Sequence, residues 1–207
     1  MNQEEALEIF RRTGALLDGH FVLASGRHSD QYINKDAAYS FPDEVTRLCW
    51  GIALAFVDRQ IDVVAGPEKG GIILSQWVAH HLIESAGQKV RAVYAEKDGD
   101  GFVFRRGYDK LVTGKRVLLV EDVITTGGSI KKVVQGVVAL GGNPIGIGAL
   151  CNRGAVEAAA LGVPELRALA NPTFLTWAEG DCPFCKNGVP VNTEVGKGRD
   201  FLARQGK

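Results

Sequence analysis

The stretch RVLLVEDVITTGGS, Arg116 to Ser129, limits the fold more than any other part of the chain. Val117, Leu118, Leu119 and Val120 are apolar without alternation, the pattern of a strand covered on both faces in a parallel sheet. Charge is then expected only where the strand ends, and Glu121 and Asp122 follow at once. Val123 and Ile124 lead into Thr125, Thr126, Gly127, Gly128 and Ser129, after which Val133, Val134, Val137 and Val138 recur at helical spacing. Ligands of open α/β sheets bind beyond the carboxyl ends of strands. Small residues that open a helix offer unpaired N–H groups, hydroxyls and the positive end of the helix dipole, a cradle for phosphate. Two acids beside such a cradle suit a ligand with a diol at one end and a phosphate at the other, such as a ribose 5-phosphate. The alternative is an ordinary strand-to-helix turn with solvent-facing acids.

Strands and helices alternate along the rest of the chain. MNQEEALEIFRRTG reads as a charged amphipathic helix, and FVLASGRHSDQYINK alternates around Ser25-Gly26 as a hairpin does. Pro42, Asp43 and Glu44 open a helix that continues by pattern to about Gln60. IDVVAG is a second buried strand, ahead of an apolar helix from Ile72 to Ile83, and VRAVYAE, Val90 to Glu96, is a third. A strand from Ile145 to Cys151 follows the helix after the first motif, then a short helix in AVEAAALG and a possible strand in LRALA. From Asn171 onward no element is evident. This order predicts a doubly wound parallel α/β sheet with right-handed crossovers.

At 207 residues, one domain with small additions is expected. Lys and Arg balance Asp and Glu at 24 each, which argues against nucleic acid or an anionic membrane as partner. No apolar run is long enough to span a bilayer, and the N-terminus lacks the apolar core of a signal peptide, so a cytoplasmic location is expected. Four cysteines make no dense disulfide framework. Cys182 and Cys185, in DCPFCKNG, have the spacing of half a zinc site, but Cys49 and Cys151 fall in apparent core elements and make poor completing ligands. A structural loop or a site shared between subunits is the alternative for that pair. His80 and His81 are neighbours on a helix, which points them apart and argues against a joint ligand role.

GPEKGG, at the end of the second strand, repeats the cradle: Gly66, Gly70 and Gly71 allow close backbone approach and Lys69 adds positive charge. Two anion-binding turns in one sheet imply a ligand with two separated phosphates. Between them, KDGDGFVFRRGYDK (Lys97 to Lys110) is either a flexible basic segment that closes over a leaving group or a solvated hairpin with incidental charges. Lys97, Arg105 and Arg106 are its candidate cations.

VLLVEDVITTGGS resembles the phosphoribosyl pyrophosphate (PRPP) signature of type I phosphoribosyltransferases. FVLASGRHSDQYIN is similar to the N-terminal hood segment of the orotate branch, and LCNRG to that branch's strand-end arginine. The resemblance implies one phosphoribosyltransferase domain, with a hood in 1–40, a PRPP-binding core in 41–154 and a C-terminal extension in 155–207. It further implies PRPP contacts from Glu121 to Ser129, Lys69, Gly70, Gly71 and Lys97. Catalytic roles would fall to Glu121, Asp122, Lys97, Arg105 and Arg106. Orotate contacts would come from Thr125, Arg153, Ser25, Gly26 and Tyr32. Mg²⁺ would be held mainly through PRPP, without direct protein ligands, and the protein would be a homodimer. Arg153 makes chemical sense, because a guanidinium can grip orotate's carboxylate in a fork; a surface ion pair is the competing role. The chain departs from the family pattern at Ala24, at Gly70 and in its loop, where lysines and a Lys-x-His-Gly-Glu stretch are common. A purine enzyme of the same fold and a PRPP-sensing regulator without turnover are the alternatives; Arg153 argues against the first and neutral charge against the second.

Overall fold

The computed structural model describes residues 1–87 and 89–206. In chain order the elements begin with α1 (Gln3–Arg12), β1 (Leu16–Val22), β2 (His28–Ile33), α2 (Lys35–Ala38), α3 (Pro42–Ala55), β3 (Val63–Pro67) and α4 (Gly70–Ala86). Next come β4 (Arg91–Asp98), β5 (Gly101–Val103), α5 (Tyr108–Val112), β6 (Arg116–Ile124), α6 (Gly128–Ala139) and β7 (Asn143–Asn152). The last are α7 (Ala158–Leu161), β8 (Leu166–Ala170), β9 (Thr176–Trp177), a 3₁₀ turn (Glu179–Asp181), α8 (Pro183–Lys186) and α9 (Gly198–Arg204). They form two compact units, one from Met1–Ala6 and Pro42–Pro172, the other from Leu7–Phe41 and the segment from Thr173 onward.

The first unit is a six-stranded sheet in the order β5-β4-β3-β6-β7-β8. All its pairings are parallel except β4 with the short hairpin strand β5. Val117 and Leu119 join a core cluster with Val133, Val134 and Val137 of α6, while Leu118 and Val120, pointing the other way, are equally buried. Helix α3 covers that other face: a Cβ on Gly148 of β7 would meet Ile52 Cγ2 at 2.4 Å. Helices on both faces explain why the strands carry no polar alternation, and each fully buried leucine contributes roughly 1.5–3 kcal/mol.

Helix α3 ends at Ala55, short of the expected Gln60, because i→i+3 bonds take over from Phe56 to Arg59. Helix α4 is longer than its apolar pattern: it starts at Gly70 and closes on Gly87 in the left-handed region at φ 61°.

A close backbone approach lies where β3 turns into α4. A Cβ on Gly71 would sit 2.7 Å from the backbone of Gly66, and one on Gly66 would sit 2.9 Å from the Val120 carbonyl. These glycines serve helix-on-strand packing.

The second unit is a three-stranded antiparallel sheet, β1-β2-β9, completed by the C-terminal segment. That segment runs beside β1, with Asn192 N–H donating to the His20 carbonyl and Lys197 N–H to the Val22 carbonyl, both at 2.8 Å. Its elements escape a pattern search because they are short and pair with residues far away in sequence; β9 has two residues, bonded to His28 and Ser29.

Gly71→Ala is expected to cost about 1–3 kcal/mol in urea unfolding, as overpacking against immovable backbone does. Gly101→Ala, whose nearest neighbour would lie at 3.6 Å, is the control that should change little.

Candidate active site

Beyond Leu119, strand β6 keeps a partner on one side only. Its pairing with β3 ends at Ala65 and Leu119, whereas its pairing with β7 continues to Ile124 and Asn152. The chain also winds from β3 out to β4 and then crosses back to β6, β7 and β8. The carboxyl ends of β3 and β6 therefore flank the reversal point, where open α/β sheets hold ligands.

Glu121 and Asp122 lie inside β6 rather than after it, and are 8% and 5% exposed. The expected strand end at Val120 is wrong because β7 carries the ladder onward after β3 has left. Glu121 Oε1 accepts the Asp122 N–H at 3.2 Å, and Asp122 Oδ1 accepts the Val123 N–H at 2.6 Å. Carboxylates are hydrogen-bond acceptors, and a diol supplies matching donors.

The loop that follows runs into an uncapped helix start. Gly127, at φ 75°, precedes α6 without a side-chain cap, and the first helical bond runs from Lys131 N–H to the Gly127 carbonyl. The amides of Gly128, Ser129 and Ile130 lie ahead of that bond; the Gly128 N–H reaches the Thr126 hydroxyl only at 3.4 Å. Thr125, Thr126, Gly128 and Ser129 are exposed, and with Glu121, Val123, Ile124, Gly127 and Ile130 they line a cavity of about 60 Å³. A small anion matches that space and those donors.

Two residues that pattern reading passed over hold this loop in place. The Gly154 N–H donates to the Ile124 carbonyl at 3.1 Å, and a Cβ there would overlap the Thr125 carbonyl oxygen at 1.6 Å. Asn152 clamps the next turn, donating from Nδ2 to the Val156 carbonyl and accepting the Val156 N–H on Oδ1. The backbone contact at Gly154 brings Thr125 close to half-buried Arg153. The Gly in LCNRG was the available signal, but nothing in the sequence tells which backbone it touches.

The second turn places Lys69, exposed, at the uncapped start of α4, with Gly70 and Gly71 buried behind it; the Glu68–Lys69 peptide is cis. Glu68 accepts the Lys97 N–H at 3.0 Å, which links the turn to β4.

The segment from Lys97 to Lys110 is a folded hairpin, closed by the pairing of Lys97 with Phe102 and anchored by buried Phe104. Tyr108 packs edge-on against Tyr94 at 5.3 Å. Arg105 bonds Asp98 at 3.1 Å and Arg106 bonds Glu96 at 2.9 Å, and both guanidiniums are largely exposed. Glu96 raises the pKa of Arg106, by hydrogen bond first and by charge second. Exposed pairs of this kind contribute little, so both arginines can exchange them for a stronger anion at small cost.

In the second unit, Ser25 and Gly26 form the exposed turn of the β1–β2 hairpin, Gly26 at φ 79°. Tyr32 packs against Phe21 with ring centroids 5.5 Å apart.

Cys49 and Cys151 are buried in the core. Burial pushes the thiols of Cys49 and Cys151 up to about 12, in Cys151 against the opposing charge of Arg153. Contrary to the expectation that helical neighbours diverge, His80 and His81 both reach Glu84, at 3.3 and 3.7 Å. His81 Nε2 is taken up by Thr46, whose hydroxyl lies at 2.8 Å.

The family model for the phosphoribosyl transferase domain matches residues 36–161. Over 193 residues the chain is 43% identical to the orotate phosphoribosyltransferase of Pelotomaculum thermopropionicum, covering 92% of this chain and 96% of that one. It is 40% identical to the enzyme of the same name from Thermus thermophilus, over 90% of this chain and 98% of the other. Among solved structures, orotate phosphoribosyltransferase of Mycobacterium tuberculosis H37Rv superposes with a TM-score of 0.66 at 26% identity, over 82% of this chain and 95% of that one.

Gly154→Ala should displace the Thr125 carbonyl and lower turnover about 10²-fold while leaving the far-ultraviolet circular dichroism unchanged, the scale expected for a misplacement of about 1 Å. With thiols raised to about 12, Cys49 and Cys151 are expected to resist iodoacetamide in the native protein and to react on unfolding, as read by peptide mass spectrometry.

Proposed function

The chain belongs to the phosphoribosyltransferase family and, within it, to the orotate phosphoribosyltransferases, and from this we infer that it transfers the 5-phosphoribosyl group of PRPP to orotate. The products are orotidine 5'-monophosphate and pyrophosphate, a step of pyrimidine biosynthesis. The observation that carries the site assignment is the pair of buried acids at the reversal point, next to an uncapped helix start.

We assign the ribose hydroxyls to Glu121 and Asp122. The 5-phosphate falls to the loop from Val123 to Ser129, through the leading amides of α6 and the hydroxyls of Thr125, Thr126 and Ser129. The pyrophosphate falls to Lys69, Gly70 and Gly71, with Lys97, Arg105 and Arg106 supplied by the hairpin. Arg153 would take the orotate carboxylate, beside Thr125. The resemblance of FVLASGRHSDQYIN carries the proposal that Ser25, Gly26 and Tyr32 also bind the base.

In the reaction, a ring nitrogen of orotate bonds to C1 of the ribose as the bond from C1 to the pyrophosphate oxygen breaks, and its electron pair leaves with pyrophosphate. The two carboxylates favour the cationic ribose that develops, and the lysines and arginines favour the departing anion. No covalent intermediate on the protein is needed, in keeping with the raised thiols of Cys49 and Cys151. Mg²⁺ would be held mainly through the hard oxygens of PRPP, with Glu121 and Asp122 positioning the ribose hydroxyls rather than ligating the ion directly. When bound with PRPP, the ion would neutralise charge on the pyrophosphate.

The proposal extends to a cytoplasmic homodimer in which the hairpin of one subunit serves the site of the other. Mixing Asp122→Asn with an Arg105→Ala, Arg106→Ala double variant tests this, because shared sites restore activity that neither variant shows alone.

Pyrophosphate release should be seen with PRPP, Mg²⁺ and orotate, and not with uracil, adenine, hypoxanthine or xanthine. Asp122→Asn should lower kcat by about 10²-fold or more. Arg153→Ala should raise the KM for orotate about 10- to 100-fold, the loss of charge-assisted hydrogen bonds worth about 1.5–3 kcal/mol, and leave PRPP affinity unchanged. Turnover with a purine would overturn the base assignment.

A further inference from the structure

Four side chains with metal-binding atoms converge in the second unit, from two segments far apart in sequence. Cys182 Sγ and Cys185 Sγ lie 3.5 and 3.7 Å from His20 Nε2. Cys185 Sγ lies 3.4 Å from His28 Nδ1, and the two ring nitrogens are 2.7 Å apart. All four ligand atoms fall within 4.8 Å of one another. His28 and Cys182 are fully buried and His20 is 2% exposed.

We propose that His20, His28, Cys182 and Cys185 form a structural Zn²⁺ site that ties the β1–β2 hairpin to the C-terminal segment of its own unit. A tetrahedral zinc with Zn–N near 2.0–2.1 Å and Zn–S near 2.3 Å sets nitrogen–sulfur edges of about 3.6 Å, which the three sulfur distances bracket. The nitrogen pair must open by roughly 0.6 Å, a small ring movement. Two thiolates and two neutral imidazoles also cancel the charge of the ion, which is what burial at this depth requires.

An outer hydrogen bond on His20 points to a ligand. His20 Nδ1 lies 2.8 Å from the Val189 carbonyl; a proton there leaves Nε2 as a lone pair facing the sulfurs. Histidines that bind metal are held by such an outer hydrogen bond. His28 Nε2 is buried with no hydrogen-bond partner, and the ring's polar contacts, to His20 Nε2 and Cys185 Sγ, are on its Nδ1 side. Two sulfurs and two nitrogens at tetrahedral spacing select zinc over the hard cations, and four protein ligands mark a structural ion. A cavity of about 490 Å³ with His20 and Cys185 in its wall gives the ion a way in. Cys182 caps α8, and the Lys186 and Gly188 amides donate to the Cys182 and Cys185 carbonyls, so one tight turn presents both sulfurs.

The test is metal analysis and native mass spectrometry on the whole chain, produced with zinc in the medium, with Cys185→Ser and His28→Gln as variants. One zinc per chain is expected in the wild type and almost none in either variant. Replacing zinc by Co²⁺ should give the intense visible bands and thiolate charge transfer of tetrahedral sulfur coordination, a readout independent of whether the variants fold. Chelation by 1,10-phenanthroline should lower the Tm and expose Cys182 and Cys185 to alkylation. A wild type without zinc, a Cys185→Ser protein that keeps it, or a peptide carrying a Cys182–Cys185 disulfide would each overturn the proposal. None of these readouts depends on turnover, so failure here leaves the phosphoribosyl transfer reading untouched.

Discussion

Strand β6 is paired on one side up to Leu119 and on the other up to Ile124, and the proposed chemistry depends on those extra residues. They keep the strand extended after its β3 neighbour has departed. Glu121 and Asp122 are thus held on a rigid element, at the place where the winding of the sheet reverses. A carboxylate in a free loop would be solvated and mobile; these two are fixed and largely out of water. Precise placement matters because positioning and electrostatics are all that this reaction asks of the protein.

Glycine does two separate jobs around that strand. At Gly66, Gly71 and Gly154 it removes a Cβ that would collide with backbone, which lets α4 and the end of β7 close against the strand and its loop. At Gly127 it supplies the positive φ that turns the chain into α6 with its first amides unspent. The former is packing and the latter leaves amides for the proposed phosphate, and both are compressed into short Gly-rich motifs. The hairpin between the two cradles follows a different rule. Phe104 is buried in the core and half-buried Phe102 and Tyr108 pack against it, whereas the hairpin's arginines sit in exposed ion pairs weak enough to be traded for a phosphate.

The second unit has few long elements, and its sheet is completed by a two-residue strand. Small units gain most from a staple, because their cores bury little. The convergence of two histidines from the hairpin with two cysteines from the far end of the chain supplies one in the place where the C-terminal segment meets β1 and β2.

The sequence by itself determined the α/β class, the buried strands and the acid-then-hydroxyl motif, since apolar runs and glycine-rich turns are local properties. It also carried the family resemblance that the comparisons bear out. What it left open was non-local. The continuation of β6 past Val120 rests on β7, the need for glycine at 154 rests on the carbonyl of Thr125, and the arginines' partners rest on how the hairpin folds back. The cysteine pair shows the limit most directly: Cys182 and Cys185 read as half a site because the completing histidines, His20 and His28, lie more than 150 positions earlier. Only the tertiary structure decides such pairings, because strand ladders and ligand shells are closed by whichever residues the fold brings together, and one-dimensional spacing does not encode that distance.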